Sequence, residues 1–466
     1  MKKDNLWLVY TEEDKKKVNE VCSRYKKCLD EGKTERECVM SAIDMAEKKG
    51  YRELYSTLAK GEAVKAGDKL YAVQMNKCVA FFQIGRNPMS GGMRILGAHI
   101  DSPRIDVKQN PLYEKDGFAY FDTHYYGGIK KYQWTAIPLA IHGVIAKKDG
   151  TTIPVSIGEK EDDPVFVITD LLVHLAGEQM TKKATEVIAG ENLDLLIGNC
   201  PIEQSEDLEK EEKEAVKANI LKMLSESYGI EEEDFLSAEL EIVPAGKARD
   251  LGFDRSMILA YGQDDRICAF TSLFALLDMS DTVTDNTLCC LLADKEEIGS
   301  VGATGMESLF FENAVAELVA ATEKDSQLLV RRALANSKML SSDVSAGFDP
   351  LYASVYEKNN SAFLAKGLTF NKFTGSRGKA NSNDANAEYI AEIRKIMDDA
   401  EVMYQFAELG KVDAGGGGTI AKFMARYGMN VIDSGVSVMN MHAPYEVSSK
   451  ADIYEAVRGY TAFLKA

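Results

Sequence analysis

The chain is poor in several features that would assign it to a special class of protein. It has no run approaching about 18 consecutive apolar residues, so no membrane-spanning helix is expected. Its eight cysteines form no C-x-x-C pair and no repeated spacing, which favours buried free thiols over disulfides or a zinc knuckle. The N-terminus lacks the apolar stretch of a signal peptide, and a reducing cytoplasm is the expected location.

Basic residues are also scarce relative to acidic ones. The 466 residues include 55 Lys and Arg against 73 Asp and Glu, which gives a net charge of −18. This balance argues against nucleic acid or an anionic membrane as a partner. The length exceeds what one core usually holds, so two domains are expected.

Two patterns divide the chain. Residues 1–104 and 248–466 alternate helical periodicity with short apolar runs, which predicts an α/β domain with a mostly parallel sheet and helices on both faces. Residues 105–247 carry short strand-like pieces between glycine turn signals, which predicts a β-rich insertion. The expected helices include one opened by the capping box Thr34-Glu-Arg-Glu37 and those at 11–29, 205–227, 265–277, 306–322, 386–398 and 449–464. The expected strands are 69–74, 78–84, 94–100, 118–126, 137–146, 151–157 and 165–168.

The most informative residues are two adjacent glutamates, Glu296 and Glu297, which follow the apolar run 287–293. An unpaired charge at the end of a buried strand is strongly disfavoured. The doublet therefore indicates either a bound cation or a carboxylate that moves protons, although a solvated loop is the common alternative for such a pair.

Other ligand-type residues occupy similar positions. His99 and His442, two of only five histidines, each follow an apolar run, and Asp264 and Asp343 stand at the borders of predicted elements. Ligands of open α/β sheets gather at the carboxyl ends of the strands. A mixture of imidazole and carboxylates suits two divalent ions about 3.5–4 Å apart, bridged by one carboxylate.

Five motifs in order carry a family resemblance: Gly97-Ala-His-Ile-Asp-Ser-Pro-Arg104, Asp264-Asp-Arg266, Glu296-Glu-Ile-Gly-Ser300, Ser342-Asp343 and Met441-His442. The chain resembles the aspartyl aminopeptidases, family eighteen of the metallopeptidases, as a divergent bacterial-type member. The resemblance implies a three-layer αβα zinc-peptidase-like catalytic domain, formed by residues 1–104 and 248–466. It also implies that the β-rich residues 105–247 interrupt this domain and mediate dimerisation.

The resemblance implies a role for each matched residue. Asp264, Glu297 and His442 would hold one metal, and Asp264, His99 and Asp343 the other, with Asp264 bridging. Glu296 would be the general base that takes a proton from water and passes it to the departing amine. Asp101 would accept the other ring N–H of His99 and fix its tautomer. Zinc is the expected metal for both positions, and manganese or cobalt would tolerate the same ligands.

Two further residues concern the substrate. Tyr132 stands where the family has a histidine that stabilises the tetrahedral intermediate, and a packed aromatic residue is the alternative reading. Lys379 matches a family lysine beside the first substrate side chain, and a solvated loop lysine is equally compatible with the sequence.

The resulting expectation is a metal-dependent aminopeptidase that removes N-terminal residues from short peptides, with acidic Asp or Glu N-termini as one implied preference. The alternatives are another co-catalytic metal hydrolase of carboxypeptidase or deacylase type, and a non-catalytic peptide-binding assembly on the same fold. The resemblance also implies a homo-oligomer built from dimers, commonly a closed dodecamer.

Overall fold

The computed structural model describes residues 4–202 and 214–466. Contacts divide the chain into two units. Unit 1 comprises Met1–Ser102, Ala248–Met441 and Glu446–Ala466, and unit 2 comprises Pro103–Lys247 and His442–Tyr445. No helix in the described ranges has both the length and the apolarity needed to cross a membrane. All eight cysteines carry free thiols, and all but Cys200 are buried, as the sequence predicted.

Unit 1 contains a nine-stranded sheet whose strands we number along the chain. They are β1 (Arg52–Glu53), β2 (Lys69–Gln74), β3 (Cys78–Gln83), β4 (Met93–His99), β13 (Thr287–Ala293), β14 (Lys338–Ser342), β16 (Leu368–Asn371), β17 (Tyr404–Phe406) and β18 (Asn430–Gly435). Their order across the sheet is β1-β2-β3-β13-β4-β14-β18-β16-β17. The central strands β13, β4, β14 and β18 are mutually parallel, whereas β3 and β16 run antiparallel to their inner neighbours.

A smaller, five-stranded sheet also belongs to unit 1. Its strands are β11 (Arg249–Leu251), β12 (Met257–Ala260), β15 (Ser345–Ala346), β19 (Ser437–Met439) and β20 (Glu446–Ser449). They are arranged in the order β11-β12-β20-β19-β15.

Unit 2 is built on a six-stranded sheet. Its strands are β5 (Arg104–Lys115), β6 (Phe118–Tyr126), β7 (Leu139–Ala146), β8 (Thr152–Ile157), β9 (Leu195–Gly198) and β10 (Ala238–Pro244). Every pairing in this sheet is antiparallel. The predicted strand at 165–168 is reduced to isolated bridges at Phe166 and Val167.

The α-helices agree with most of the predicted segments. They are α1 (Leu6–Val9), α2 (Glu12–Glu31), α3 (Glu35–Glu47), α4 (Leu54–Ala59), α5 (Ala215–Tyr228), α6 (Gln263–Asp278), α7 (Phe310–Thr322), α8 (Gln327–Ala335), α9 (Ala387–Asp399), α10 (Ala421–Ala425) and α11 (Lys450–Lys465). The predicted capping box opens α3, where the Thr34 side chain accepts the N–H of Glu37 and the Glu37 carboxylate accepts the N–H of Thr34. Of the predicted charged helix at 205–227, residues 205–213 lie outside the described residues, and the rest falls in α5.

Helices cover both faces of the large sheet, and successive side chains along each strand point to opposite faces. On β13, Leu288, Cys290 and Leu292 join the core formed with α2, α3, α6, α9 and α11. Cys289 and Leu291, which point the other way, join the core formed with α4, α7, α8 and α10. Both faces of such a strand must be apolar, which explains its continuous hydrophobic run. The predicted three-layer αβα architecture with a mostly parallel sheet is therefore confirmed.

Candidate metal centre

Three neighbouring parallel strands bring most of the predicted site residues to one edge of the large sheet. Strand β4 ends at His99, β13 is followed by the short 3₁₀ turn Glu296–Ile298, and β14 is followed by Asp343. Because β13, β4 and β14 are adjacent and parallel, their carboxyl ends meet at the same edge. Helix α6 supplies Asp264 from its first turn.

The ring of His99 lies at the centre of these carboxylates. Its Nε2 is 3.3 Å from Oδ1 of Asp264, 3.9 Å from Oε2 of Glu296 and 3.9 Å from Oδ1 of Asp343. His99 and Asp264 are buried, while Glu296 and Asp343 keep some exposure. Glu296 and Asp343 are therefore more accessible to solvent than His99 and Asp264.

Two sets of three side chains can each offer ligand atoms that lie within 4.8 Å of one another. One set is His99, Asp264 and Glu297, and the other is His99, Glu296 and Asp343. These sets differ from the pairing implied by the family resemblance, because Glu297 groups with His99 and Glu296 joins as a potential ligand. His442 is a member of neither set.

The orientation of the His99 ring identifies its protonated nitrogen. Nδ1 lies 2.9 Å from the carbonyl oxygen of Asp101, which can only accept a hydrogen bond, so Nδ1 carries a proton. Nε2 then faces carboxylate oxygens and needs either a second proton or a metal ion. Burial opposes the charged ring, but the hydrogen bonds and negative charges of Asp101, Asp264 and Asp343 prevail and raise the pKa of His99 well above its usual value.

The carboxylate of Asp101 binds the backbone of both glutamates in addition to lying beside His99. Its Oδ1 accepts the backbone N–H of Glu296 at 3.1 Å, and its Oδ2 accepts that of Glu297 at 3.2 Å. The carboxylate is also 3.3 Å from Nδ1 of His99, although the carbonyl oxygen of the same residue is closer. One fully buried carboxylate thus connects the turn that carries both glutamates with the histidine at the end of β4.

The donor set fits a divalent cation on chemical grounds. Burial, followed by the negative charge of Asp265, raises the pKa of Asp343 well above its usual value, and Glu296 and Asp264 add to the effect. Carboxylates so close together repel one another unless protons or cations neutralise them. Oxygen ligands with one imidazole nitrogen suit zinc, manganese and cobalt.

His442 and Tyr132 belong to unit 2. His442 has a left-handed backbone with φ of 65°, and its Nδ1 lies 2.9 Å from the carbonyl oxygen of Gly128. Tyr132 is 42% exposed in the 3₁₀ turn Lys131–Gln133, so it is not a packed core aromatic of the β-rich unit.

Lys379 lies in unit 1 on a loop and already has partners. Its ammonium is 3.0 Å from Oδ2 of Asp384 and 3.9 Å from the ring centroid of Phe373. An acidic ligand would have to compete with Asp384 for this charge.

Two residues that the sequence did not single out bind the backbone of Asp264. Ser102 donates to the carbonyl oxygen of Asp264 at 2.6 Å, and Glu446 accepts the N–H of Asp264 at 3.0 Å. Ser102 lies inside the first motif, so its position was a usable signal. Glu446 gives a weaker signal, because it is a single acidic residue at the start of the short strand β20.

Comparison with known proteins identifies the family. The family model described as aminopeptidase I zinc metalloprotease (M18) matches residues 28–464. A probable M18 family aminopeptidase 1 of Clostridium acetobutylicum is 59% identical over 460 residues, which cover 99% of this chain and 97% of the relative.

Solved structures agree in fold. The crystal structure of the Thermotoga maritima M18 aminopeptidase has a TM-score of 0.92 at 43% identity, covering 100% of this chain and 99% of that one. The S. cerevisiae mApe1 dodecamer shares the fold with a TM-score of 0.76 at 21% identity, covering 95% and 96% of the two chains. The chain therefore belongs to the M18 family of zinc metalloproteases and is a metallo-aminopeptidase.

Proposed function

We propose that the residues around His99 bind two divalent metal ions and hydrolyse the peptide bond that follows an N-terminal residue. The observation that carries this proposal is the geometry of His99. Its Nδ1 is fixed by the carbonyl oxygen of Asp101, and its Nε2 faces oxygens of Asp264, Glu296 and Asp343. An imidazole nitrogen surrounded by carboxylates is a ready ligand position once a metal ion replaces its proton.

The proposed ligands are His99, Asp264, Glu297, Asp343 and His442, with Asp264 between the two ions. Zinc is the metal of the family, and the same ligands would accept manganese or cobalt. When bound, such ions supply the Lewis acidity that polarises a carbonyl and eases the deprotonation of water. His442 enters this set from the sequence, and His442→Ala is expected to lower the bound metal below two ions per chain.

Glu296 is the proposed proton carrier. Its carboxylate takes a proton from the attacking water as the oxygen–carbon bond forms at the scissile carbonyl. It then gives this proton to the leaving nitrogen as the carbon–nitrogen bond breaks, so that a free amine departs. Asp101 orients this residue through the N–H of Glu296 and holds Glu297 in the same way. The doublet thus combines one residue that binds metal with one that moves protons.

The central test compares metal-dependent hydrolysis in two glutamate variants. We expect hydrolysis of aminoacyl-chromogenic substrates after zinc, manganese or cobalt is restored to chelated protein. Glu296→Gln should bind metal but lose most activity, whereas Glu307→Gln, a change at an exposed residue of unit 1, should retain it. Failure of every metal to restore hydrolysis, or substantial activity in Glu296→Gln, contradicts the mechanism.

Blocked peptides test the requirement for a free N-terminal amine. An aminopeptidase recognises this amine, so acetylation of the peptide should abolish cleavage. Undiminished cleavage of N-acetylated peptides would contradict this expectation.

The substrate preference depends on Lys379. If this ammonium recognises an acidic first side chain, Asp384 competes for it at 3.0 Å. Asp384→Asn should then increase kcat/KM for N-terminal Asp or Glu relative to Leu, and Lys379→Met should decrease it. Equal ratios in both variants and the wild type would remove Lys379 from substrate recognition.

We also propose that unit 1 is the catalytic domain and that unit 2 is a dimerisation domain. By analogy with the mApe1 dodecamer, we expect a closed assembly that limits substrates to short peptides in a cytoplasmic setting. Light scattering should give a multiple of the 51.3 kDa chain, and a monomer would contradict this.

The phenol of Tyr132 is proposed to donate to the developing oxyanion, so Tyr132→Phe should lower kcat with little change in KM.

A further inference from the structure

The backbone of Asp264 departs from helical geometry at the point where its side chain enters the site. The φ and ψ angles are −80° and 108° at Asp264, and −114° and 26° at Asp265, within the first turn of α6. As the second residue of α6, Asp264 also has no intrahelical acceptor for its backbone N–H. Buried backbone N–H groups are almost always paired, so the hydrogen bond of this group must come from outside the helix.

Side chains supply hydrogen bonds to both backbone groups of this residue. The N–H of Asp264 donates to Oε2 of Glu446 at 3.0 Å, and its carbonyl oxygen accepts from the hydroxyl of Ser102 at 2.6 Å. Glu446 is 1% exposed and Ser102 is fully buried. The two bonds hold the peptide groups on either side of the Asp264 Cα.

The sheet arrangement explains why Glu446 reaches this position. Strand β20 begins at Glu446 and pairs with β12, where Glu446 lies opposite Ala260. The carbonyl oxygen of Glu446 also accepts the side-chain N–H of Gln263 at 2.7 Å. Glu446 thus contacts two successive residues of the segment that leads from β12 into α6.

We propose that Glu446 is a positioning residue that fixes the direction of the Asp264 carboxylate by holding its backbone, with Ser102 as the second support. The inference rests on the proposed function, in which Asp264 is the shared metal ligand. Glu446 acts through Asp264. A ligand that must serve two ions tolerates little displacement, and loss of outer supporting contacts typically lowers metal affinity about 10–100-fold.

A purely structural role for Glu446 predicts a different result. A buried carboxylate that only ties β20 to α6 would lower the free energy of unfolding when removed, without changing metal affinity. Glu455 offers the matched control, since it is also fully buried in unit 1 and accepts the N–H of Met403 through Oε2 at 2.7 Å.

The experiment measures zinc dissociation constants by competition with a chromogenic chelator, together with urea unfolding of the zinc-free proteins. Glu446→Ala should weaken zinc binding at least about tenfold, and Glu446→Gln, whose amide oxygen can still accept the N–H, should recover most of this loss. Glu455→Ala should lower the unfolding midpoint but keep wild-type zinc affinity. Ser102→Ala gives an independent reading if Glu446→Ala does not fold.

The outcomes separate this inference from the proposed function. Asp264→Asn tests the function itself, because the shared ligand cannot be removed without losing zinc. If Asp264→Asn weakens zinc binding but Glu446→Ala and Ser102→Ala stay within twofold of the wild type, the positioning role is wrong. If Asp264→Asn also retains full affinity, the proposed function is wrong.

Discussion

Substitution of Asp101 by asparagine tests whether one buried carboxylate organises the glutamate turn. The carboxylate accepts the N–H groups of Glu296 and Glu297 at 3.1 and 3.2 Å. An asparagine amide has the same shape but offers one oxygen and one NH₂ group. One backbone N–H keeps an acceptor, and the other faces a donor.

The expected loss follows from these two contacts. Two hydrogen bonds to a charged acceptor contribute about 1.5–3 kcal/mol each, whereas one neutral bond contributes about 1 kcal/mol. Burial, followed by the negative charges of Glu35 and Asp101, raises the pKa of Asp294 to about 6. Removal of the Asp101 charge therefore also relieves part of the repulsion that acts on the Asp294 carboxyl group. The net destabilisation of the turn is therefore on the order of 2 kcal/mol.

The assay combines kcat/KM of the zinc-loaded enzyme with urea unfolding of the zinc-free protein. We expect Asp101→Asn to reduce kcat/KM about 10–100-fold. The control is Glu114→Gln in unit 2, where one carboxylate oxygen likewise accepts two successive backbone N–H groups, those of Val216 and Lys217. Asp101 does not organise the turn if Asp101→Asn keeps more than half of the activity, or if Glu114→Gln loses as much.

Two further predictions concern backbone packing and pH. A Cβ at Gly435 would overlap the backbone carbonyl oxygen of Asp343, whereas a Cβ at Gly97 would overlap the flexible end of the Met339 side chain. Gly435→Ala should therefore lower the free energy of unfolding by about 1–3 kcal/mol and weaken zinc binding. Equal effects of the control Gly97→Ala in zinc titration and thermal unfolding would contradict this. Burial raises the pKa of Asp452 to about 7, so its contribution to stability is complete below its ordinary pKa and is lost as the pH rises through about 7. Unfolding of chelated protein should therefore show the stability advantage of wild type over Asp452→Asn shrinking from pH 5 to pH 8, and a constant difference would contradict the shifted pKa.

Apolar segments of the right length made several of the main elements predictable. The helix expected at 265–277 is α6 (Gln263–Asp278), and the helix expected at 449–464 is α11 (Lys450–Lys465). The strand expected at 94–100 is β4 (Met93–His99). The apolar residues that indicated these segments are the residues that the fold buries, so the sequence pattern and the tertiary packing agree.

Strand β5 was missed for a local reason. Its sequence includes Asn110 and Pro111, which read as a turn, and its pairing with β6 shifts register between Val107 and Leu112. A bulge accommodates residues that a regular strand would reject. The sequence therefore did not predict the complete six-stranded sheet to which β5 belongs.

The grouping of most candidate site residues could be predicted from the sequence, whereas their hydrogen bonds could not. The positions of His99, Glu296 and Asp343 after apolar runs placed them at strand ends. The sequence could not show that the Asp101 carboxylate turns toward two backbone N–H groups while its carbonyl oxygen takes the histidine ring. That choice depends on the path of the turn after β13, which local sequence does not encode.

The order of strands across the large sheet has a consequence for how the chain acquires its structure during synthesis. Strand β4 ends at His99, yet both of its neighbours, β13 and β14, begin only at Thr287 and Lys338. Until the ribosome has made them, a strand that is buried along its whole length in the folded protein has two unpaired edges, and such long-range pairing is slow to form. The proposed metal ligands on these strands also come together only when the strands pair, so zinc capture should follow the folding of unit 1.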